Sequence, residues 1–334
     1  MNILLTSVGR RAYMVKYFKQ AVAPDGEVHV CNSDDMTVAF RYADQAVVSP
    51  MIYDNAYIPF LLEYCKTHQI DLLLSLFDID LPVLARYKEA FEAIGTRVIV
   101  SDAAFVDNCS DKWQTAQYLA SNGFDTPRTW LTLEDTLRAI RTGELSYPVI
   151  VKPRFGCGSI ALEIAEDEEE LRYLTRRCLR RVESSYLQYE SAAEEHVLVF
   201  QECLQGQEYG ADVINDLDGC HVATVVRRKF AMRAGETDIA EVIDHPGINA
   251  ICQRLGRLTG HIGNLDCDLF VCGERICILE MNARFGGGYP FSHMAGCDLP
   301  GAIIRWAKGL DVPEDMLRAQ TGVLGYKELI TTRA

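Results

Sequence analysis

The chain has 334 residues, 49% of them hydrophobic, and 47 acidic side chains against 33 lysines and arginines, for a formal net charge of −14. That length exceeds what one compact core normally serves, so two or three domains are expected. The acidic balance argues against nucleic-acid binding as the main task, and no apolar run reaches spanning length, so neither nucleic acid nor membrane is an expected partner.

The N-terminus, MNILLTSVGRRAYMVKYF, reads as a strand and an Arg-rich turn rather than a signal peptide, giving a cytoplasmic expectation. Strands and helices then alternate: Ile3 to Ser7, a helix from Ala12 to Ala21, Glu27 to Cys31, Ala46 to Val48, a helix from Ile58 to Lys66, Leu72 to Leu76 and Val98 to Val100. This predicts a doubly wound parallel α/β domain, with ligands expected at the strand carboxyl ends, near Ser7 to Arg11, Asn32 to Asp34 and Asp78 to Asp80. The first turn carries one glycine where a dinucleotide fingerprint needs three, which disfavours an oxidoreductase. Twelve cysteines sit singly in apolar patterns with no CxxC pair, pointing to buried reduced thiols rather than zinc or disulfides.

From Asp102 the pattern turns helical, with Asn122-Gly123 capping a helix and Pro127 opening an extended segment. Pro148 to Pro153 is a strand ending in Lys152, followed by Arg154-Phe155-Gly156-Cys157-Gly158-Ser159, whose glycines let backbone amides approach a phosphate while Ser159 adds a hydroxyl. The lysine precedes the glycines, so this is no Walker A loop. Glu166 to Glu170 opens a solvated helix, and Arg180 to Glu195 reads as a polar, loosely ordered connection. Val197 to Asp212 stops at a glycine turn and resumes with Glu208, as a purine clamp would and as an ordinary strand turn also would.

Residues 263 to 288 read GNLDCDLFVCGERICILEMNARFGGG. Asp266 and Asp268 share one face of the first strand, and Glu280 and Asn282 one face of the second. A three-residue loop, Gly273 to Arg275, would place Asp268 opposite Glu280; a two-residue loop would slip the register and separate them. The convergent register is preferred, because clustered Asp, Glu and Asn oxygens suit Mg²⁺ beside nucleotide phosphates. Arg284 then lies next to the metal as a phosphate cation. The stretch from Gly301 reads as a helix, Ala302 to Lys308, with a short extended tail.

In order, Lys112, the Lys152-Pro-Gly loop, Gln201-Glu202-Cys203-Leu204-x-Gly-x-Glu208, Asp268 and Glu280-x-Asn282-x-Arg284 resemble the ATP-grasp superfamily, most closely its carbamoyl phosphate synthetase large-subunit-like branch. The resemblance implies an N-terminal doubly wound domain (1–101), a small α+β lobe with linker helix and glycine lid (102–200) and a C-terminal α+β lobe with the metal site (201–334), the lobes clasping ATP between them. By that resemblance Lys112 and Lys152 contact ATP phosphates, and Gly156, Gly158 and Ser159 belong to a lid. Glu202 and Leu204 meet adenine through their backbone, Gln201 lies near its amine, and Glu208 holds ribose. Asp268, Glu280 and Asn282 hold one or two Mg²⁺, for which Mn²⁺ is an acceptable substitute, with Asp266 the alternative first-strand ligand. Arg284 and Lys152 serve the phosphoryl transfer. The implied reaction activates a small carboxylic acid as an acylphosphate that an amine attacks; bicarbonate-dependent carboxylation or carbamoyl phosphate formation is the alternative, and a nucleotide sensor a third.

For the acid, the candidate grips are Arg10, Arg11 and Arg233, with the amides of Gly286, Gly287 and Gly288 as an anion nest. His293 is a substrate or packing residue. A homodimer is the default assembly for such enzymes.

Overall fold

The computed structural model describes residues 1–156, 158 and 160–333. Three sheets organise it. Strands β1 (Asn2–Thr6), β2 (Val28–Asn32), β3 (Gln45–Val48), β4 (Ile70–Ser75) and β5 (Arg97–Val98) form a parallel sheet in the order β3-β2-β1-β4-β5. Ile3, Leu4 and Leu5 are all fully buried, the unbroken apolar run of a strand covered on both faces. The expected strands and helices are present with ends moved by at most two residues. The sheet's order reverses between β1 and β4, where a doubly wound sheet leaves a crevice. Asp80 secures that point: fully buried, it accepts hydrogen bonds from Thr6, Ser7 (3.1 Å), Ser75 (2.7 Å) and Tyr57 (2.9 Å), and burial raises its pKa.

Strands β6 (Thr129–Trp130), β7 (Val149–Pro153), β8 (Glu163–Ala165) and β9 (Leu198–Glu202) form an antiparallel sheet ordered β6-β9-β7-β8. A helix from Glu168 to Glu183, capped by Asp167, buries Leu171, Leu174, Cys178 and Val182, one stripe at helical spacing, in the core under this sheet. The connection read as loosely ordered from Arg180 is more regular than expected. Its first residues complete this helix, Leu187–Glu190 forms another turn, and Leu187 is buried because it roofs Gly156.

Strands β10 (Gln207–Asn215), β11 (His221–Arg233), β12 (Glu236–Ile243), β13 (Gly263–Cys272), β14 (Arg275–Asn282) and β15 (Val323–Tyr326) form an antiparallel sheet ordered β14-β13-β10-β11-β12-β15. The C-terminal stretch read as a plain tail therefore supplies an edge strand, while the helix before it runs from Leu299 to Ala307. The first and third sheets share continuous hydrophobic clusters, in which Leu4 and Tyr57 join Leu265 and Met281, whereas the four-stranded sheet has a core of its own. The smaller lobe is thus packed as a separate body facing the other two. No helix of the described residues is long and apolar enough to cross a membrane.

Candidate functional site

A cleft of about 960 Å³ lies between the four-stranded and six-stranded sheets, with Arg10, Arg11 and Phe77 of the N-terminal sheet at one edge. On the small-lobe side, β7 carries Lys152 into it. Lys112 is brought alongside by a buried clamp: Arg154 pairs with Asp111 at 2.6 Å, Asp111 caps the helix Lys112–Ser121, and the Lys112 amide donates to the Arg154 carbonyl at 3.0 Å. Lys112 Nζ then donates to the carbonyl of Gly156 and stands 3.7 Å from Glu280 on the opposite wall. Gly156 and Gly158 have φ of +85° and +73°, the left-handed region that favours glycine.

The opposite wall is a polar face built across four strands. Alternation puts Glu208, Gly210 and Asp212 on one side of β10. Gly210 is paired with Arg227 on β11 and Asp268 on β13, and Asp268 with Glu280 on β14. A Cβ at Gly210 would lie 3.2 Å from Lys229 Cε and 3.3 Å from Arg227 Nη2, so glycine here lets cations of β11 reach over β10 to carboxylates of β13. Lys229 Nζ binds Glu208 Oε1 at 2.8 Å and Asp268 Oδ1 at 2.5 Å. Arg227 pairs with Asp212 and, at 3.5 Å, with Asp266. Arg284 joins Asp266 at 3.1 Å to Asp78 of the N-terminal sheet at 2.8 Å.

The hairpin converges by a route different from the expected one. Its loop has two residues, Gly273 and Glu274, with Cys272 paired to Arg275, and Gly273 takes φ +63° at the turn. The missing one-residue offset is supplied by a bulge at Leu279, where pairing passes from Leu269–Ile278 to Asp268–Glu280.

Of the expected site residues, Arg10, Arg11, Lys112, Lys152, Gly156, Gly158, Glu202, Leu204, Glu208, Asp268, Glu280, Asn282, Arg284 and Gly287 all line this one cleft. Ser159 lies outside the described residues. Gln201 and Arg233 do not line it. The Gln201 side chain is buried against β6, donating to Thr129 Oγ1 at 3.0 Å, and its Oε1 has no partner among the described residues. Arg233 pairs with Asp238 and donates to the Lys327 carbonyl at 3.1 Å, because irregularities in the β11–β12 ladder break strict alternation ahead of it. Arg11 is committed to the carbonyls of Leu76 and Phe285 (3.0 Å). Gly286, Gly287 and Gly288 do not form a nest of alternating backbone hand, since none has left-handed φ. They are glycine because a Cβ would run into Asp266, into Glu236 at 2.9 Å and into Arg227 at 2.9 Å respectively. His293 packs, stacked on Tyr17 at 3.7 Å between ring centroids. Sequence reasoning missed Arg227, Lys229 and Glu236; the signal was Val225-Val226-Arg227-Arg228-Lys229, where two cations at i and i+2 interrupt an apolar strand.

Burial drives the Lys152 ammonium down to about 8, against the pull of Glu280. Lys229 is pushed the other way: the charges of Asp268 and Glu208 outweigh its burial. Burial, with the charge of Asp268 adding, lifts the Asp266 carboxyl to about 6 against Arg284. Glu202 stays below the ordinary range despite burial, held by Arg128 at 3.2 Å and Arg275 at 3.4 Å. Apolar side chains from both walls, Ile150 and Ile164 on one, Phe270 and Leu279 on the other, line the remainder, space suited to a flat ring. Among the described residues no three His, Cys, Asp or Glu side chains gather closely enough to hold a metal unaided. Asp268, Glu280 and Asn282 offer two carboxylates and an amide oxygen on adjoining strands, a hard donor set that fits Mg²⁺ when water and phosphate oxygens complete its shell.

A cleft with two lysines on one wall and an acidic, arginine-bounded face on the other has its charges laid out to suit a polyphosphate and its counter-ion. The ATP-grasp domain family matches residues 109–288, and the PylC-like N-terminal domain family matches residues 3–99. The chain belongs to the ATP-grasp family, a family of ATP-dependent ligases. It is similar to the carbamoyl phosphate synthase large chain of Pseudothermotoga lettingae, 23% identical over 283 residues, which are 79% of this chain and 23% of the relative. The chain thus spans about a quarter of the length of the curated relatives it matches. Among solved structures, it resembles the biotin carboxylase domain dimer of 2-oxoglutarate carboxylase from Hydrogenobacter thermophilus, in complex with MgADP, ADP and bicarbonate (TM-score 0.73, 16% identity, 95% of this chain and 72% of that one). It also resembles L-amino acid ligase from Bacillus licheniformis (TM-score 0.69, 17% identity, 92% and 75%). The branch read from the motifs and the α/β fold class are both borne out.

Proposed function

We propose that this protein is an ATP- and Mg²⁺-dependent carboxylate-amine ligase. The observation that carries the reading is the meeting of Lys112 and Lys152 with Asp268, Glu280, Asn282 and Arg284 across one cleft, Lys112 lying 3.7 Å from Glu280. Asp268, Glu280 and Asn282 would hold Mg²⁺, which when bound neutralises charge on the β- and γ-phosphates. Lys112 and Lys152 bind those phosphates from the small lobe, with Gly156 and Gly158 beside them. Adenine lies between Ile150 and Phe270, its edge met by backbone groups of Glu202 and Leu204, and Glu208 accepts from ribose hydroxyls.

An acid held at the edge of the cleft attacks the γ-phosphorus through a carboxylate oxygen, and ADP leaves. The amine nitrogen then attacks the acyl carbon, phosphate leaves, and the nitrogen loses its proton. Arg284 offsets charge on the transferring group. Positioning and charge neutralisation suffice for this chemistry, with no covalent protein nucleophile. A second reading, in which bicarbonate is the acid, is favoured by the carbamoyl phosphate synthase relatives.

Purified protein given Mg·ATP and a panel of carboxylic acids and amines will release ADP and phosphate only with a particular pair. Release with bicarbonate alone instead selects the second reading. Glu280→Ala will abolish release while leaving the melting temperature of the ligand-free protein nearly unchanged, because the residue serves the metal and not a core. Wild-type turnover by folded Glu280→Ala protein would refute the site.

A further inference from the structure

The carboxylates lining the cleft have close partners within it or on its walls, except that Glu236 has only Arg11 there, at 4.0 Å. Glu208 and Asp268 are held by Lys229, Glu280 faces Lys112, Asp266 is held by Arg227 and Arg284, and Glu202 by Arg128 and Arg275. Glu236 lines the cleft beside Gly287, yet its closest cation comes from outside: Lys327 Nζ, 2.8 Å away, on the first residue after the C-terminal edge strand β15. Lys327 is held in place by its backbone, the amide donating to Asp238 and the carbonyl accepting from Arg233. Its side chain enters from the rim and presents a primary ammonium to a carboxylate that is 36% exposed. Burial raises the Glu236 pKa, but the hydrogen bond and charge of Lys327 and the charges of Arg11 and Arg10 bring it below the ordinary value, so the site carries a negative charge.

Arg10 stands on the same rim. It is exposed, lines the cleft and has no hydrogen-bond partner among the described residues, whereas the Arg11 guanidinium donates to two carbonyls and stands 4.0 Å from Glu236. A carboxylate already accepting an ammonium, next to an uncommitted guanidinium, is the paired recognition that a zwitterion needs: charge-assisted hydrogen bonds of opposite sense at its two ends.

We infer that Glu236 and Arg10 form the amine-substrate subsite, taking the ammonium and carboxylate of an α-amino acid, and that Lys327 is a tethered ammonium filling the Glu236 half until substrate displaces it. The inference rests on the ligase reading above and names the class of its amine. An internal competitor lowers apparent affinity by the fraction of time it occupies the site. A partly exposed pair of this kind makes that roughly a three- to fivefold effect.

The test uses the whole chain. Calorimetry first measures the binding of a non-hydrolysable Mg·ATP analogue to wild type, Lys327→Met and Glu236→Gln/Lys327→Met; loss of this binding in wild type would strike the ligase reading itself. Each of the twenty proteinogenic L-amino acids is then titrated into the nucleotide complexes. The expected result is that Lys327→Met binds at least one amino acid roughly three- to fivefold more tightly than wild type, that the gain is lost in the double variant, and that nucleotide affinity is the same in all three. If Lys327→Met gains affinity for none of the twenty while binding nucleotide normally, the pair merely pins the C-terminal strand and the inference fails. A gain that survives Glu236→Gln also overturns it.

Discussion

Lys152 sets stability against function in a way that can be weighed. Its ammonium is buried in the ligand-free cleft, and burial lowers its pKa from 10.5 to about 8. At 1.36 kcal/mol per pKa unit the gap is worth roughly 3 kcal/mol. Because the folded-state value is depressed, the folded protein bears the full cost of the charged form below pH 8, and the cost is relieved as pH rises from 8 towards 10.5, where the unfolded chain holds the extra proton. Wild-type stability will therefore rise through that window. Lys152→Met will remove the slope and raise the melting temperature of the ligand-free protein at pH 7 by ~6 °C, at about 2 °C per kcal/mol for a chain of this size. The same variant will bind Mg·ATP more weakly. Polyphosphate beside Lys152 restores its charged form, so nucleotide binding at pH 8 will take up about half a proton, read by calorimetry in buffers of different ionisation enthalpy. Equal proton uptake by wild type and Lys152→Met, or a variant no more stable at pH 7, would refute the reasoning.

Two further outcomes concern other buried charged or titratable groups. Arg227→Met leaves Asp212, fully buried, without its guanidinium, and will cost about 3–5 kcal/mol in urea unfolding; adding Asp212→Asn will recover part of that loss, and strict additivity of the two would contradict the pairing. His261, buried between Thr259 and the Val213 carbonyl, has its pKa lowered by burial to about 4. It is neutral in the folded state, so stability will fall as pH drops from 6.5 towards 4, a loss of roughly 3 kcal/mol that His261→Gln will diminish; parallel acid-unfolding curves for the two proteins would rule it out.

What could be read from the sequence followed from period. Alternation placed Asp268 with Glu280 and Asn282 on one face, and the parallel sheet announced itself in the succession of strands and helices over the first hundred residues. The route of convergence was not legible, since a bulge at Leu279 leaves no mark in a strand of apolar and polar residues that also fits an unbroken ladder. Arg233 was misplaced for the same reason, lying beyond register shifts that alternation ignores. Lys229 and Glu236 acquire meaning only from contacts across strands distant in sequence: Asp268 is 39 residues from Lys229, and Lys327 is 91 residues from Glu236. Gly287 was read as part of an anion nest, whereas what calls for glycine there is the Glu236 side chain against it and not its own backbone hand.

The bulge in the hairpin has a practical consequence. Residues 269–272 pair with 275–278 in one register, and 266–268 with 280–282 in another. The tip and the face bearing Asp268, Glu280 and Asn282 are therefore separate register segments of a single ladder, joined at Leu279. A fluorophore or affinity handle placed at Gly273–Glu274 sits on the tip segment, and a disturbance there must travel past Leu279 before it can rotate Glu280 or Asn282. That makes the tip a mounting point for a handle that leaves the register of Asp268, Glu280 and Asn282 undisturbed.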